Sequence, residues 1–164
     1  MASSNRKISV IMVADAVGYS KHMEVDEDAT LASYKECEAI LKDLLKKHNG
    51  SIFNTAGDSV LTEFSSAVNA VECGVEFQRA IKEKNSKQDN QVNIEFRVGI
   101  NMGDVVETDG NLLGDGVNIA ARLEALSMPG GVSISKSVHD MIVGKSKLTF
   151  KNQGLQKVKQ NEFY

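Results

Sequence analysis

The sequence predicts an α+β fold: a ferredoxin-like βαββαβ core with additional C-terminal elements and a mostly antiparallel sheet. Three observations predict it. Short apolar runs at residues 8–14, 51–64 and 92–101 are interleaved with two long stretches of helical periodicity. The middle run is split by Ala56-Gly57-Asp58, a turn too short for anything but a hairpin. The last run alternates between apolar and polar side chains, the pattern of an antiparallel sheet covered on one side.

Taken in order, "ISVIMVA" reads as a buried strand, and "MASSNRK" before it (residues 1–7) as a flexible polar start without the apolar length of a secretory signal. Gly18 breaks the chain before a helix begins. "TLASYKECEAILKDLLKKHNG" then places Tyr34, Cys37, Leu41, Leu44 and Leu45 at helical spacing, with Asn49-Gly50 as its stop. "SIFNT" and "SVLTEF" form the expected hairpin. Ser65 and Ser66 can cap the next helix, whose stripe is Ala67, Ala70, Gly74, Phe77 and Ile81. "EKNSKQDNQ" is read as a polar loop.

In the alternating strand, Val92, Ile94, Phe96, Val98 and Ile100 face one way, and Asn93, Glu95, Arg97, Gly99 and Asn101 the other. Met102-Gly103-Asp104 is expected to turn the chain into "VVET". A helix from about Asp115 to Leu126 carries a stripe of Ile119, Leu123 and Leu126. "GGVSIS", a short helix over "SVHDMIV" and a final weak strand or two complete the order. No repeat or internal boundary is visible, so residues 1–164 are read as one domain. The β-like end at Tyr164 suggests a domain cut from a longer protein.

Composition narrows the function. With 164 residues, 41% hydrophobic and 25% charged, the chain can bury a real core. A net charge of −3 gives no basic footprint for polymeric nucleic acid. No apolar stretch approaches the ~20 residues of a membrane span, so no membrane contact is expected of this domain. Cys37 and Cys73 fall on helix stripes and read as small core residues in a reducing compartment, which points to the cytoplasm. His22, His48 and His139 lie far apart without ligand spacing and read as surface or helix-end residues.

The chemistry collects at three places. In "VADAVGYS", Asp15 ends a strand and runs into a glycine turn; alone it would be a turn former or a helix cap. In "NTAGDSV", Asp58 follows Gly57, whose backbone freedom leaves the carboxylate unobstructed. In a βαββαβ sheet the end of the first strand lies beside the tip of the central hairpin, so the two carboxylates converge. They repel unless a cation neutralises them, and Mg²⁺ or Mn²⁺ suits oxygen ligands and brings phosphates with it. The turn residues Val17, Gly18, Tyr19 and Ser20 can bring backbone N–H groups to those phosphates. The third place is "GDGVNIAARLEAL", where Asn118 and Arg122 stand at i and i+4 on a shared face. That pair reads either as a solvated face with Arg122 salt-bridged to a Glu, or, beside Ala121 and Ala125, as a contact with another chain.

"VADAVGYS", "NTAGDSVLTEF", "FRVGINMGDVV" and "LLGDGVNIAARLEAL", in that order over roughly residues 8–143, together resemble the bacterial-type class III nucleotidyl cyclase catalytic domain, the adenylate/guanylate cyclase homology domain. The resemblance implies that Asp15 and Asp58 hold two Mg²⁺ or Mn²⁺ ions, with the backbone carbonyl of Ala16 as a further ligand. It implies that Asn118 orients the ribose, that Arg122 stabilises the transition state, and that Asn54 and Asn111 read the base. Lys159, with Lys157 as the other candidate, would bind phosphate. Two composite sites would form across a head-to-tail homodimer, with the metal aspartates from one chain and the base and transition-state residues from the other. The activity implied is cyclisation of ATP to 3′,5′-cyclic AMP and pyrophosphate. Adenylate cyclases usually carry Lys, and Asp or Thr, at the two base positions, and guanylate cyclases Glu and Cys. Asparagine both donates and accepts. GTP therefore stays open as a substrate, as does a catalytically degenerate domain that only dimerises or binds nucleotide.

Overall fold

In the computed structural model, which describes residues 4–87 and 92–148, the central element is the strand β1 (Ser4–Ala16). Two helices follow, α1 (Tyr19–Val25) and α2 (Glu27–Lys47), then the hairpin of β2 (Gly50–Ala56) and β3 (Ser59–Phe64). The chain continues through α3 (Ala67–Lys87), β4 (Phe96–Thr108), β5 (Asn111–Leu113), α4 (Asp115–Leu126), β6 (Val132–Ile134) and α5 (Lys136–Ile142). The sheet runs β2-β3-β1-β4-β5, antiparallel throughout that path, and β6 adds to β4 in parallel at residues 98–100. This is the predicted mixed fold with a mostly antiparallel sheet.

β1 reads as an unbroken apolar run because both of its faces are covered. Val10, Met12, Ala14 and Ala16 pack with Cys37, Leu41 and Leu45 of α2, Phe77 and Ile81 of α3, and Val138 and Ile142 of α5. Ile11 and Val13 point to the other face and pack with Val105, Leu112, Val117 and Ala120. The expectation of a sheet covered on one side is therefore corrected: α4 lies on the face that reads as polar. Gly99 permits it, since a Cβ there would fall on the backbone nitrogen of Glu124 and 2.5 Å from the Ala120 carbonyl oxygen. Asn101 on the same face is buried and donates to the Gly116 carbonyl at 3.0 Å.

Other expectations shift at the ends of elements. The start expected to be flexible is strand from Ser4 onward, paired with the far end of β4. Met102-Gly103-Asp104 does not turn: β4 runs through it, matched along its length to β1, and the reversal comes at Asp109-Gly110 with φ of 52° and 81°. β4 begins at Phe96, so Val92 and Ile94 precede it as irregular chain. Helix α3 continues to Lys87, through part of the expected polar loop. Asn49, rather than Gly50, takes the positive φ (59°) after α2. On α4, Leu126 is 55% exposed and Ile119 half-buried, so the inner stripe is Gly116, Val117, Ala120, Leu123 and Glu124. The caps hold as expected at Ser66, which accepts from Asn69 N–H at 3.2 Å. Cys37 and Cys73 are buried free thiols. His48 takes the helix-end alternative, capping α2, and is buried there against Glu76. The final weak strands fall outside the described residues.

Candidate active site

The two aspartates that the sequence pairs do meet. Asp15 is the penultimate residue of β1 and stands opposite Ser59 of β3 and Arg97 of β4. Asp58 closes the β2–β3 turn, where Gly57 supplies a positive φ of 62°. The hairpin tip is stitched to the end of β1: Ala16 N–H donates to the Asp58 carbonyl at 3.2 Å, and Val17 N–H to the Glu95 carbonyl at 2.8 Å. The Ser59 hydroxyl donates to Asp15 Oδ1 at 2.6 Å.

Burial pushes the Asp15 carboxyl above its usual range; the Ser59 hydrogen bond opposes this, the Asp58 charge adds to it, and Arg97 opposes it. Two carboxylates held this way repel, and a cation between them removes the repulsion. Among the described residues no three His, Cys, Asp or Glu side chains gather into a cage. A pair of carboxylates suits a hard ion of the Mg²⁺ kind, which keeps water and phosphate ligands beside one or two protein oxygens. Ala16 is buried at the end of β1, where its backbone adjoins both aspartates.

The glycine turn follows directly. Val17 is half-buried, Gly18 takes a left-handed φ of 64° at the start of α1, and Ser20 is exposed. Tyr19 sets its ring edge-on to Tyr34 of α2, centroids 5.3 Å apart, which ties the turn to the core.

Asn118 and Arg122 are both exposed on α4 and share a face, as their spacing predicts. They lie on the outer side of the helix, away from its buried stripe of Gly116, Val117, Ala120, Leu123 and Glu124. Residues two apart on a helix point to nearly opposite sides, and the α4 residue whose charge couples to Asp15 and Asp58 is Glu124.

Sequence reasoning missed Glu124 and Arg97. Glu124 is 7% exposed, and its pKa is pushed up to about 7, first by burial, then by Asp15, with Arg97 opposing and Asp58 adding. Arg97 Nε donates to the Ser127 carbonyl at the end of α4, at 3.0 Å. Their only signal in the sequence was an Arg on the polar side of the alternating strand and a Glu beside Leu123, which carried no reading of its own.

Asn54 and Asn111 lie on strands at opposite ends of the sheet order, yet β2 and β5 touch. Phe53 and Leu112, their neighbours in sequence, join the same core. Asn54 Oδ1 accepts from Thr55 N–H at 2.8 Å, and Asn111 Oδ1 from Leu112 N–H at 2.9 Å. Each amide thereby has its carbonyl oxygen engaged by the neighbouring backbone, and among the described residues nothing holds its NH₂. Lys157 and Lys159 fall outside the described residues.

Residues 3–163 match the family model described as the adenylate and guanylate cyclase catalytic domain. A Rhizobium meliloti (strain 1021) protein named "Putative adenylate cyclase 3" is 44% identical over 164 residues, 98% of this chain, which spans 27% of that protein's length. The solved structure of an adenylate/guanylate cyclase/hydrolase from Silicibacter pomeroyi is 35% identical, with a TM-score of 0.89 over 98% of this chain and 95% of that one. The guanylyl cyclase Cya2 shares the fold, at 24% identity and a TM-score of 0.85 over 99% of this chain and 91% of its own.

Proposed function

Because the chain belongs to the class III adenylate and guanylate cyclase catalytic domain family and is a nucleotidyl cyclase domain, we propose that it converts ATP to 3′,5′-cyclic AMP and pyrophosphate, as half of a homodimer with two composite sites. The observation that carries this reading is the direction of the two half-sites. Asp15 and Asp58 meet at the hairpin tip, while Asn118 and Arg122 leave the far side of α4 into solvent. A head-to-tail partner brings the second set to the first. Isologous pairing of this kind makes two such sites at once.

Asp15, Asp58 and the Ala16 carbonyl would hold two Mg²⁺ or Mn²⁺ ions. Bound there, the ions lower the pKa of the attacking 3′-hydroxyl and neutralise the leaving phosphates. Asn118 orients the ribose. Arg122 meets the charge that grows on the α-phosphate, a task suited to a fixed, permanently charged fork. Gly18, Tyr19 and Ser20 present backbone N–H groups to the phosphates, whereas the Val17 N–H is already taken by the Glu95 carbonyl, and Lys159 adds a cation. The buried thiols of Cys37 and Cys73 suit a cytoplasmic setting. Among the described residues no helix is long and apolar enough to cross a membrane. What the longer relative does as a whole is a separate matter from this domain.

Asn54, with its NH₂ free, can donate to adenine N1. Asn111 supports a second reading. Its NH₂ is also the free group, and a donor there suits O6 of guanine but opposes the 6-amino group of adenine. The domain would then accept GTP beside ATP.

The test is the purified chain with Mn²⁺ and either ATP or GTP, with products separated and identified by mass. Cyclic AMP from ATP is expected, with cyclic GMP from GTP as the slower product. No cyclic product from either nucleotide would overturn the reading in favour of a degenerate domain.

A further inference from the structure

We propose that Glu124 is a positioning residue for the metal pair: it balances Arg97, and so keeps Asp15 and Asp58 available to a divalent cation. The inference rests on the metal-site reading above and goes beyond it, since Glu124 ligates nothing in that reading.

Four observations lead to it. Arg97 stands directly across the β1–β4 ladder from Asp15, where side chains of paired strands are neighbours on one face. Its Nε donates to the Ser127 carbonyl at 3.0 Å, which holds the guanidinium at the end of α4, three residues from Glu124. Left alone, such a cation beside Asp15 competes with any metal ion for the same carboxylate. Glu124 enters the same space from α4, the helix that covers this face of the sheet and that Gly99 lets approach to backbone contact. It is 7% exposed, and the charged groups that couple to it are Asp15, Asp58 and Arg97.

Nothing else in α4 accounts for a buried carboxylate at this place. The helix packs its inner face through Val117, Ala120 and Leu123, and an apolar residue would continue that stripe. Glu124 makes no ion pair within 4.0 Å among the described residues. Its effect is therefore through space. A negative charge there draws on Arg97 and adds to the field that attracts a divalent ion.

The two charges then have opposite effects on metal affinity, which a purely structural role would not give. In nucleotide-free protein at pH 8, Mn²⁺ binding is read from the EPR signal of the free ion. Glu124→Gln, an isosteric change, should weaken binding roughly three- to tenfold. Arg97→Gln should tighten it, and the double variant should return close to the wild type. Arg97→Lys keeps the charge and should bind as the wild type does, which covers the case in which Arg97→Gln fails to fold. Unchanged affinity in Glu124→Gln, or weakening in both single variants, would overturn the inference while leaving the metal site in place. Asp58→Ala separates the two ideas. Its loss of Mn²⁺ binding upholds the metal pair; binding equal to wild type, or none in the wild type, overturns the metal reading and this inference with it.

Discussion

At the scale of single residues, charge and hydrogen bonding decide what each side chain can do, and two predictions belong here. The first concerns Glu124. The folded chain holds its proton up to about pH 7, whereas an unfolded carboxyl releases it near 4.5. Folding therefore takes up a proton in that window, so stability falls as pH rises through it and the penalty is complete above about pH 7. Glu124→Gln, measured with a chelator present, should raise Tm by a few degrees at pH 8, and the gain should fade towards pH 5. An equal change at both pH values would mean that burial of the charge is not the cause. The second prediction concerns the base. Replacing Asn54 by Lys and Asn111 by Asp puts an ammonium towards adenine N1 and a carboxylate towards the 6-amino group. Guanine offers a donor at N1 and an acceptor at O6, so both groups oppose it, each mismatch costing roughly 1–3 kcal/mol. The ratio of kcat/KM for ATP over GTP should rise at least about tenfold. A flat ratio would remove both asparagines from base recognition.

At the scale of elements, the sequence was legible where polarity and burial agree. Helix α4 has the expected bounds of Asp115 and Leu126, and the β2–β3 hairpin turns at Gly57-Asp58 as its short loop requires. It was misleading where a residue is polar or small yet buried. Gly99 and Asn101 read as a solvent face, but one is a gap for the α4 backbone and the other a hydrogen-bond donor to it. On α4 the apolar spacing points to Leu126 as an inner residue, whereas Leu126 is exposed and Glu124 is buried. Alternation reports polarity, and the second layer of helix had no other mark. The close approach of α4 yields a prediction of its own. Gly99→Ala forces a Cβ onto the backbone of Glu124 and Ala120, neither of which can move alone, so it should destabilise the chain by roughly 1–3 kcal/mol in urea unfolding, if it folds at all. Gly110→Ala, at a positive φ of 81° but in open space, should cost about 1 kcal/mol. Equal costs would mean that α4 can lift from β4.

At the scale of the whole molecule, the site was legible as parts and not as a place. The convergence of Asp15 and Asp58 follows from strand order alone, since β1 lies beside β3. The direction of Asn118 and Arg122 does not, because it depends on which face of the sheet α4 covers. That same direction is what leads to the proposal that a single chain carries two separated half-sites. The measurement that tests this most directly is complementation. Asp58→Ala chains lack the metal half and Arg122→Ala chains lack the other, so each alone should be inactive while remaining folded. Mixed in equal amounts and allowed to exchange, half of the dimers are heterodimers with one of two sites whole, and activity should return to roughly a quarter of wild type. No recovery, with heterodimers shown to form, would mean that each chain builds its own site and that Arg122 serves the aspartates beside it.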